Sequence, residues 1–205
     1  MLIPLDYLVN KYNVNFKGIL HVGAHECEEL NDYEKYINRS KILWVEAMAD
    51  KVKLNKSRFE NLLIENVVVS DKEEQLKFNI SNNGQSSSLL ELGLHKHFHP
   101  HVHYVDFFVA NTVLLKDVLP KYDISFNFLN FDIQGAELKA LRGMGEEYLS
   151  KVDYIYTEVN SDYVYKDCAL ITELDEYLLT FNLKRVETKW CSDYRWGDAF
   201  YVKGK

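Results

Sequence analysis

Residues 18–25 read Gly-Ile-Leu-His-Val-Gly-Ala-His, and residues 42–46 read Ile-Leu-Trp-Val-Glu. Each contains a short apolar run typical of a buried strand; the first run ends at Gly23 and the second at Glu46. A strand, a tight glycine turn, a helix and a second strand ending in a carboxylate form a nucleotide-binding half-unit. The turn lets a ligand approach the backbone, and the acid can accept hydrogen bonds from both ribose hydroxyls. This pair therefore predicts a site for an adenosine-type cofactor.

Strand-like and helical patterns alternate along the rest of the chain. The predicted strands are Ile19–Val22, Leu43–Val45, Ile64–Val69, Phe126–Phe131 and Tyr154–Val159. Apolar residues recur at helical spacing in three stretches: Leu30, Tyr33 and Ile37; Leu138, Leu141 and Tyr148; and Ile171, Leu174, Leu178 and Phe181. The alternation predicts an α/β fold with a mostly parallel sheet that helices cover on both faces.

Two regions depart from this alternation. Leu183–Thr188 and Ala199–Lys203 resemble strands with no helical pattern between them, which predicts a C-terminal antiparallel hairpin joined by a polar loop over residues 189–198. Residues 72–118 predict an insertion between the third and fourth strands that folds over the carboxyl edge of the sheet. The chain, residues 1–205, is expected to form one domain.

Composition narrows the classes of function. With 205 residues, of which 47% are hydrophobic, the chain is long enough for one ordinary core. The net charge is −7 and no cluster of Lys and Arg is visible, which argues against nucleic acid and anionic membranes as partners. The N-terminus lacks the basic region of a signal peptide, and the three cysteines form no Cys-x-x-Cys pair, so we expect a cytoplasmic protein.

The glycine turn discriminates among adenosine cofactors. A dinucleotide fingerprint needs the three glycines of G-x-G-x-x-G, whereas this turn has Gly23 only, which counts against NAD and FAD. S-adenosylmethionine has no phosphates and can use a single glycine. Many αβ domains, however, use one glycine merely to turn the chain, so the turn by itself leaves structural and cofactor roles equally open.

Longer motifs add a resemblance to a known family. The segments His21-Val-Gly-Ala-His25 with Glu28, Glu29 and Tyr33, and Leu43-Trp-Val-Glu-Ala47, resemble the opening of FkbM-family methyltransferases. The similarity continues through Val68–Asp71, Asn82–Ser88, Ile155–Asn160 and Trp196–Val202, and is strongest at Phe131-Asp-Ile-Gln-Gly-Ala-Glu-Leu138. It implies a Rossmann-like class I methyltransferase fold with a seven-stranded sheet, S-adenosylmethionine as donor, and an oxygen nucleophile, often a sugar or polyketide hydroxyl. His21 stands where many members carry an acidic residue, and Lys116 where the family often has Asp.

Together the residues and the resemblance predict two groups of binding residues. The cofactor is expected to contact His21, Gly23, Ala24, His25, Glu46, Ala47, Ser70, Asp71 and Asp132, with Ser70 and Asp71 near adenine. The acceptor is expected to contact Asn83, Ser87, Asn160 and Trp196.

The catalytic prediction rests on the ends of two neighbouring strands. Asp132 ends the fourth strand, and Glu158 and Asn160 end the fifth on one face, at the edge where α/β sheets bind ligands. Asp132 and Glu158 are therefore predicted to manage the acceptor hydroxyl, one of them as general base. Alternatively Asp132, Glu158 and Asn160 hold a divalent cation such as Mg²⁺ or Mn²⁺. A hydrogen-bonded carboxylate without a metal is about as probable, and Asp132 also suits a helix cap.

The alternating histidines His95, His97, His99, His101 and His103 would face one side if extended. We interpret them as a surface run with one member lining the acceptor pocket rather than as a metal site. The resulting prediction is an S-adenosylmethionine-dependent O-methyltransferase that acts on a sugar or glycan hydroxyl. Two alternatives stay open: a dehydrogenase-like nucleotide-binding domain, and a non-catalytic member that binds a partner.

Overall fold

The computed structural model of the protein describes residues 1–192 and 194–204. The strands are β1 (Ile19–Val22), β2 (Ile42–Glu46), β3 (Leu63–Asn66), β4 (Val68–Val69), β5 (Gln75–Ser81), β6 (Tyr104–Val113), β7 (Phe128–Phe131), β8 (Tyr154–Asn160), β9 (Leu183–Trp190) and β10 (Trp196–Lys203). The helices are α1 (Leu5–Tyr12), α2 (Leu30–Tyr33), α3 (Ala49–Arg58), α4 (His95–Phe98), α5 (Leu115–Val118), α6 (Glu137–Met144), α7 (Glu146–Leu149) and α8 (Ile171–Leu179). Within these described ranges, no helix is both long and apolar enough to cross a bilayer.

Seven strands form the main sheet in the order β3-β2-β1-β7-β8-β10-β9. Strands β1, β2, β3, β7 and β8 pair in parallel, whereas β10 runs antiparallel to both β8 and β9. The predicted α/β class, the mostly parallel seven-stranded sheet and the antiparallel C-terminal strands are confirmed. The two last strands extend further than predicted, because ladder pairs continue to Trp190 and Trp196.

Alternate residues of the central strands pack on opposite faces of the sheet, as the pleat requires. Leu20 and Val22 of β1 join a core with Leu138 and Leu141 of α6. Ile19 of β1 joins the opposite core with α1. Both faces are therefore covered, and the strand ends form the accessible edge of the sheet.

The predicted strand Ile64–Val69 is wrong in one respect, because the structure divides it. Leu63–Asn66 pairs with β2 in the main sheet, while Val68–Val69 pairs with β6 in a second sheet of order β4-β6-β5. The division occurs where the Asn66 side-chain amide donates to the carbonyl oxygens of Glu46 and Ala47. Similarly, the fourth main-sheet strand begins at Phe128 rather than Phe126, since the Asn127 side chain binds the backbone of Lys17.

The interval 72–118 contains β5, α4, β6 and α5, and β5 and β6 pair in antiparallel orientation. The histidine run does not extend through this interval as a strand. His95–Phe98 forms a helical turn, so the five imidazoles do not share one face.

Candidate functional site

The glycine turn after β1 holds three strand ends together. Gly23 has φ of +95°, and the backbone amides of Gly23 and Ala24 donate to the carbonyl oxygen of Val45 at 2.9 and 3.0 Å. A Cβ at position 23 would lie 1.8 Å from the carbonyl oxygen of Asp132. Packing of β1 against β7 therefore requires glycine here, whether or not a ligand binds above the turn.

The Glu46 carboxylate ends β2 and is 5% exposed. Its Oε2 accepts from the backbone amide of His25 at 2.7 Å, and its Oε1 accepts from that of Met48 at 2.8 Å. Burial raises the pKa of Glu46, although these two amides favour the ionised form. Each oxygen keeps a second lone pair, so the carboxylate can shape the turn and still accept a ligand hydroxyl.

A narrow cavity of about 60 Å³, the apolar slot, lies beside this carboxylate. Its walls come mostly from aliphatic and aromatic side chains at the end of β2 and just after it, in and before β4, and in β5 and the loop beyond it: Val45, Met48, Val67, Val68, Val69, Phe78 and Leu89. Glu46, Ala47 and Ser87 also line it. Apolar walls bordered by a carboxylate match the chemistry of a planar base attached to a ribose.

A larger cavity of about 510 Å³, the polar chamber, lies next to the slot. The two cavities share Gly23, His25, Gln85, Asp132 and Gln134. The remaining lining of the chamber is mainly polar or aromatic: Met1, His21, Glu28, Glu29, Asn83, Ser86, His95, His99, His101, Val102, Glu158, Val164, Tyr165 and Trp196. Its volume falls within the range of about 300–1,000 Å³ that is usual for small-molecule sites.

Two carboxyl groups face each other in the chamber across a side-chain amide. Gln134 Nε2 donates to Asp132 Oδ1 at 2.5 Å and to Glu158 Oε2 at 2.9 Å. The Tyr165 hydroxyl donates to Gln134 Oε1 at 2.5 Å. The structure therefore brings the two predicted catalytic residues together and adds Gln134 and Tyr165, whose roles the sequence did not indicate.

The environment separates the protonation states of these two carboxyl groups. Asp132 is open to the chamber, but the protein atoms around it and the neighbouring Asp198 raise its pKa to about 6. Glu158 is 6% exposed, and its burial followed by repulsion from Asp132 raises its pKa well above the usual range of a glutamate. With a pKa of about 6, Asp132 is ionised at neutral pH and able to act as a base, while the environment of Glu158 favours its protonated form.

Asp198 lies opposite Glu158 in the β8–β10 ladder. Its Oδ2 accepts from the Tyr156 hydroxyl and, at 2.5 Å, from the backbone amide of Leu2. Burial raises its pKa as well. The contacts of Asp198 tie the N-terminal segment to the sheet, so it supports the chamber wall rather than lining the chamber.

The predicted metal set does not fit this arrangement. Within residues 1–192 and 194–204, no group of three or more His, Cys, Asp or Glu side chains is placed to hold a metal ion. Both Gln134 amide hydrogens are directed at Asp132 and Glu158, where a cation would need lone pairs instead. The side-chain amide of Asn160 is buried and has no hydrogen-bond partner among the residues that the structure describes. Asn160 lines neither cavity.

His21 is buried, and its ring stacks on Trp44 at a centroid distance of 4.4 Å. The Tyr33 hydroxyl lies 3.0 Å from His21 Nδ1, and burial lowers the pKa of His21 to about 4. A neutral imidazole therefore forms part of the chamber wall at the position where many relatives carry an acid.

The other predicted residues divide between the cavities and their surroundings. Gly23, His25 and Asp132 line both cavities; Asn83, Glu158 and Trp196 line the chamber; Glu46, Ala47 and Ser87 line the slot. Ala24, Ser70 and Asp71 lie outside both lining sets, as Asn160 does. A Cβ at Gly143 would lie 2.0 Å from the Ser70 carbonyl oxygen, which places Ser70 against α6.

Sequence reasoning missed the apolar walls of the slot and two of the three histidines that the run contributes to the chamber. The alternation of Leu76–Ile80 predicted a strand but could not show that Phe78 faces the slot. His95, His99 and His101 all line the chamber, where one histidine was expected. Burial and repulsion between neighbouring imidazoles lower the pKa values of His95, to about 4, and of His99.

Comparisons with known proteins identify the family of the chain and confirm its fold. The family model described as "Methyltransferase FkbM domain" matches residues 21–186. None of the curated proteins compared with the chain matches it significantly. Among solved structures, the chain is similar to an FkbM methyltransferase from Methylobacillus flagellatus KT, with a TM-score of 0.56 and 13% identity, over 92% of this chain and 44% of that one.

Two further structures share the fold. Magnesium protoporphyrin IX methyltransferase from Synechocystis PCC 6803, which was solved with bound S-adenosylmethionine, matches with a TM-score of 0.52 and 7% identity, over 97% of this chain and 76% of that one. An S-adenosylmethionine-dependent methyltransferase from Clostridium acetobutylicum ATCC 824 matches with a TM-score of 0.52 and 9% identity, over 98% of this chain and 89% of that one. The chain spans less than half of the Methylobacillus protein but most of these two. With its family match over residues 21–186, this chain belongs to the FkbM methyltransferase family.

Proposed function

We propose that this protein is an S-adenosylmethionine-dependent O-methyltransferase whose acceptor is a sugar or glycan hydroxyl. One observation carries the proposal: the apolar slot and the polar chamber meet at Gly23 and Asp132. A donor with its base in the slot and an acceptor in the chamber would present their reacting atoms to the same carboxylate.

The slot suits the donor from end to end. The aliphatic walls formed by Met48, Val68 and Phe78 accommodate adenine, and Glu46 accepts hydrogen bonds from the ribose. The backbone around Gly23 and His25 borders the methionine moiety where the slot opens into the chamber. When bound, S-adenosylmethionine supplies an electrophilic methyl group on a positively charged sulfur.

Asp132 is the residue of this chain that acts as the general base. As the ionised member of the carboxyl pair, it would accept the proton of the acceptor hydroxyl while the oxygen takes the methyl group, the carbon–sulfur bond breaks and S-adenosylhomocysteine leaves. By holding the hydroxyl in line with the methyl group, it also contributes orientation. The raised pKa of Glu158 favours its protonated form, which limits the negative charge beside the base.

The chamber wall supports a sugar as acceptor. Asn83, Ser86 and Gln85 offer donors and acceptors for several hydroxyls, and the Trp196 ring offers a face for the apolar side of a sugar. Cys27, Cys168 and Cys191 are free thiols, which supports a cytoplasmic setting for the reaction.

Two experiments test the proposal. Calorimetry measures the binding of S-adenosylhomocysteine, and transfer assays then use methyl-labelled S-adenosylmethionine with neutral methyl glycosides as acceptors. Asp132→Asn should bind S-adenosylhomocysteine within a few-fold of the native protein and lose transfer by about 10²–10⁴-fold. Binding of NADH in place of S-adenosylhomocysteine would favour the dehydrogenase alternative. No affinity for either cofactor would favour the non-catalytic one.

A further inference from the structure

Gln134 is held in an unusual backbone conformation at the junction of the slot and the chamber. Its φ is +58°, in the left-handed region that residues other than glycine rarely adopt, and Gly135 follows with φ of +97°. The Ser88 hydroxyl donates to the Gln134 carbonyl oxygen at 2.8 Å. A Cβ at position 135 would lie 2.9 Å from Cys168 Cβ and 3.1 Å from Tyr165 Cβ. Tight packing therefore maintains a backbone geometry that aims the Gln134 side chain at the carboxyl pair.

Both ends of the Gln134 carboxamide have partners. Its two amide hydrogens serve Asp132 Oδ1 and Glu158 Oε2, and its oxygen accepts from the Tyr165 hydroxyl. Asp132 determines which end of the amide faces the acids, because an ionised carboxylate can only accept hydrogen bonds. If the amide were flipped, its oxygen would face that carboxylate and neither group could donate. The Tyr165 hydroxyl, which can donate or accept, holds the favoured orientation by donating to the Gln134 oxygen.

We propose that Gln134, aligned by Tyr165, is a positioning residue that fixes the Asp132 carboxylate for proton transfer. The inference rests on the proposed function and extends it to residues that act through Asp132. Because Gln134 engages Oδ1, the other oxygen of Asp132 stays available to the acceptor hydroxyl. The same amide separates Asp132 from Glu158 and prevents the two acids from closing into a direct hydrogen-bonded pair.

A double-mutant cycle on the full chain provides the kinetic test, with methyl glucopyranoside and methyl mannopyranoside as acceptors. Gln134→Met keeps the side-chain length and removes both donors, so kcat should fall by roughly 10–100-fold while KM changes less than about threefold. Tyr165→Phe should lower kcat by roughly 3–10-fold in the native background. In the Gln134→Met background the same change should have no further effect, because the hydroxyl acts only through the amide.

Tyr122→Phe is a matched control, since it also removes a tyrosine hydroxyl bound to a carboxylate, here Glu65 Oε1 at 2.8 Å, away from both cavities. Its kcat should stay within about twofold of the native value. Multiplicative effects in the double variant, or full kcat in Gln134→Met, would overturn the proposal.

A spectroscopic measurement tests the bridge without an acceptor. In ¹⁵N-labelled protein, the side-chain NH₂ signals that disappear in Gln134→Met should exchange with solvent at least roughly tenfold more slowly than exposed amides, and Tyr165→Phe should remove that protection. Rapid exchange in the native protein would refute the bridge. If S-adenosylhomocysteine does not bind, the proposed function fails, and a protected Gln134 amide in that protein would show that the hydrogen-bonded bridge exists independently of it.

Discussion

The slot and the chamber share one edge of the sheet but differ in their chemistry. Buried Met48, Val68 and Phe78 give the slot walls whose contacts do not depend on pH. In the chamber, by contrast, the charges of Asp132 and Glu158 depend on pH, and the charge of Asp132 raises the pKa of Glu158. The difference indicates that the apolar walls of the slot select by shape, whereas the carboxyl pair of the chamber responds to protonation. Changes at each region should therefore affect different measurements.

The largest loss of stability and cofactor binding is expected from a change at Gly23, where the slot and the chamber meet. Gly23→Ala should disrupt both regions, because a Cβ would meet the Asp132 carbonyl oxygen at 1.8 Å and the residue would need φ of +95°. We expect a loss of at least about 3 kcal/mol in the free energy of unfolding, measured in urea, with loss of cofactor binding.

Gly145→Ala is the matched control for this change. Gly145 also has positive φ, +80°, but the nearest atoms to its Cβ would be 3.8 Å away. Only the backbone penalty of about 1–3 kcal/mol should remain, since φ of 80° and ψ of 157° lie in a region that essentially only glycine adopts. Equal losses in the two variants would show that the close approach at Gly23 is not what requires glycine.

A change on the slot side should separate donor binding from the acceptor. Glu46→Ala removes the acceptor of two backbone amides and the proposed ribose partner, so the Kd of S-adenosylhomocysteine should rise by roughly 10–100-fold. Ser70→Ala should leave that Kd unchanged, since Ser70 lies outside both cavities even though the sequence predicts contact with the cofactor. Calorimetry measures both, and a loss in Ser70→Ala would place the adenine elsewhere.

A change of pH should act on the chamber through Asp132. With its pKa raised to about 6, Asp132 loses its proton and becomes a base only as the pH rises through that value. The transfer rate at saturating donor should therefore be about tenfold lower at pH 5 than at pH 8. An unperturbed aspartate would already be ionised at pH 5, so a flat profile between these values would contradict the assigned base.

The smallest effect is expected from chelation. Because Gln134 donates to both Asp132 and Glu158, EDTA should leave the transfer rate unchanged, and added Mg²⁺ should not raise the melting temperature. A rate that falls with EDTA and recovers with Mg²⁺ would show that the amide moves aside for a metal.

Several features of the site could be predicted from the sequence because they depend on local chain chemistry. Gly23 follows an apolar strand, and Glu46, Asp132 and Glu158 end strands of one sheet, so their convergence at the carboxyl edge follows from the α/β alternation. The prediction was wrong for Ile64–Val69, since an uninterrupted apolar run contains no signal that its two halves pair with different sheets. Asn160 was placed with Glu158 by the two-residue repeat of a strand, but it lies outside the lining of the chamber.

Sequence by itself determined the order of strands and helices, the glycine turn and the acids at the strand ends, because hydrophobic periodicity and turn chemistry act over a few residues. Only the tertiary structure decided how the environments of Asp132 and Glu158 differ, that the Gln134 amide lies between them, and which side chains close the slot. Those properties depend on burial and on distances between residues far apart in the chain, such as the 2.5 Å between the Tyr165 hydroxyl and Gln134 Oε1.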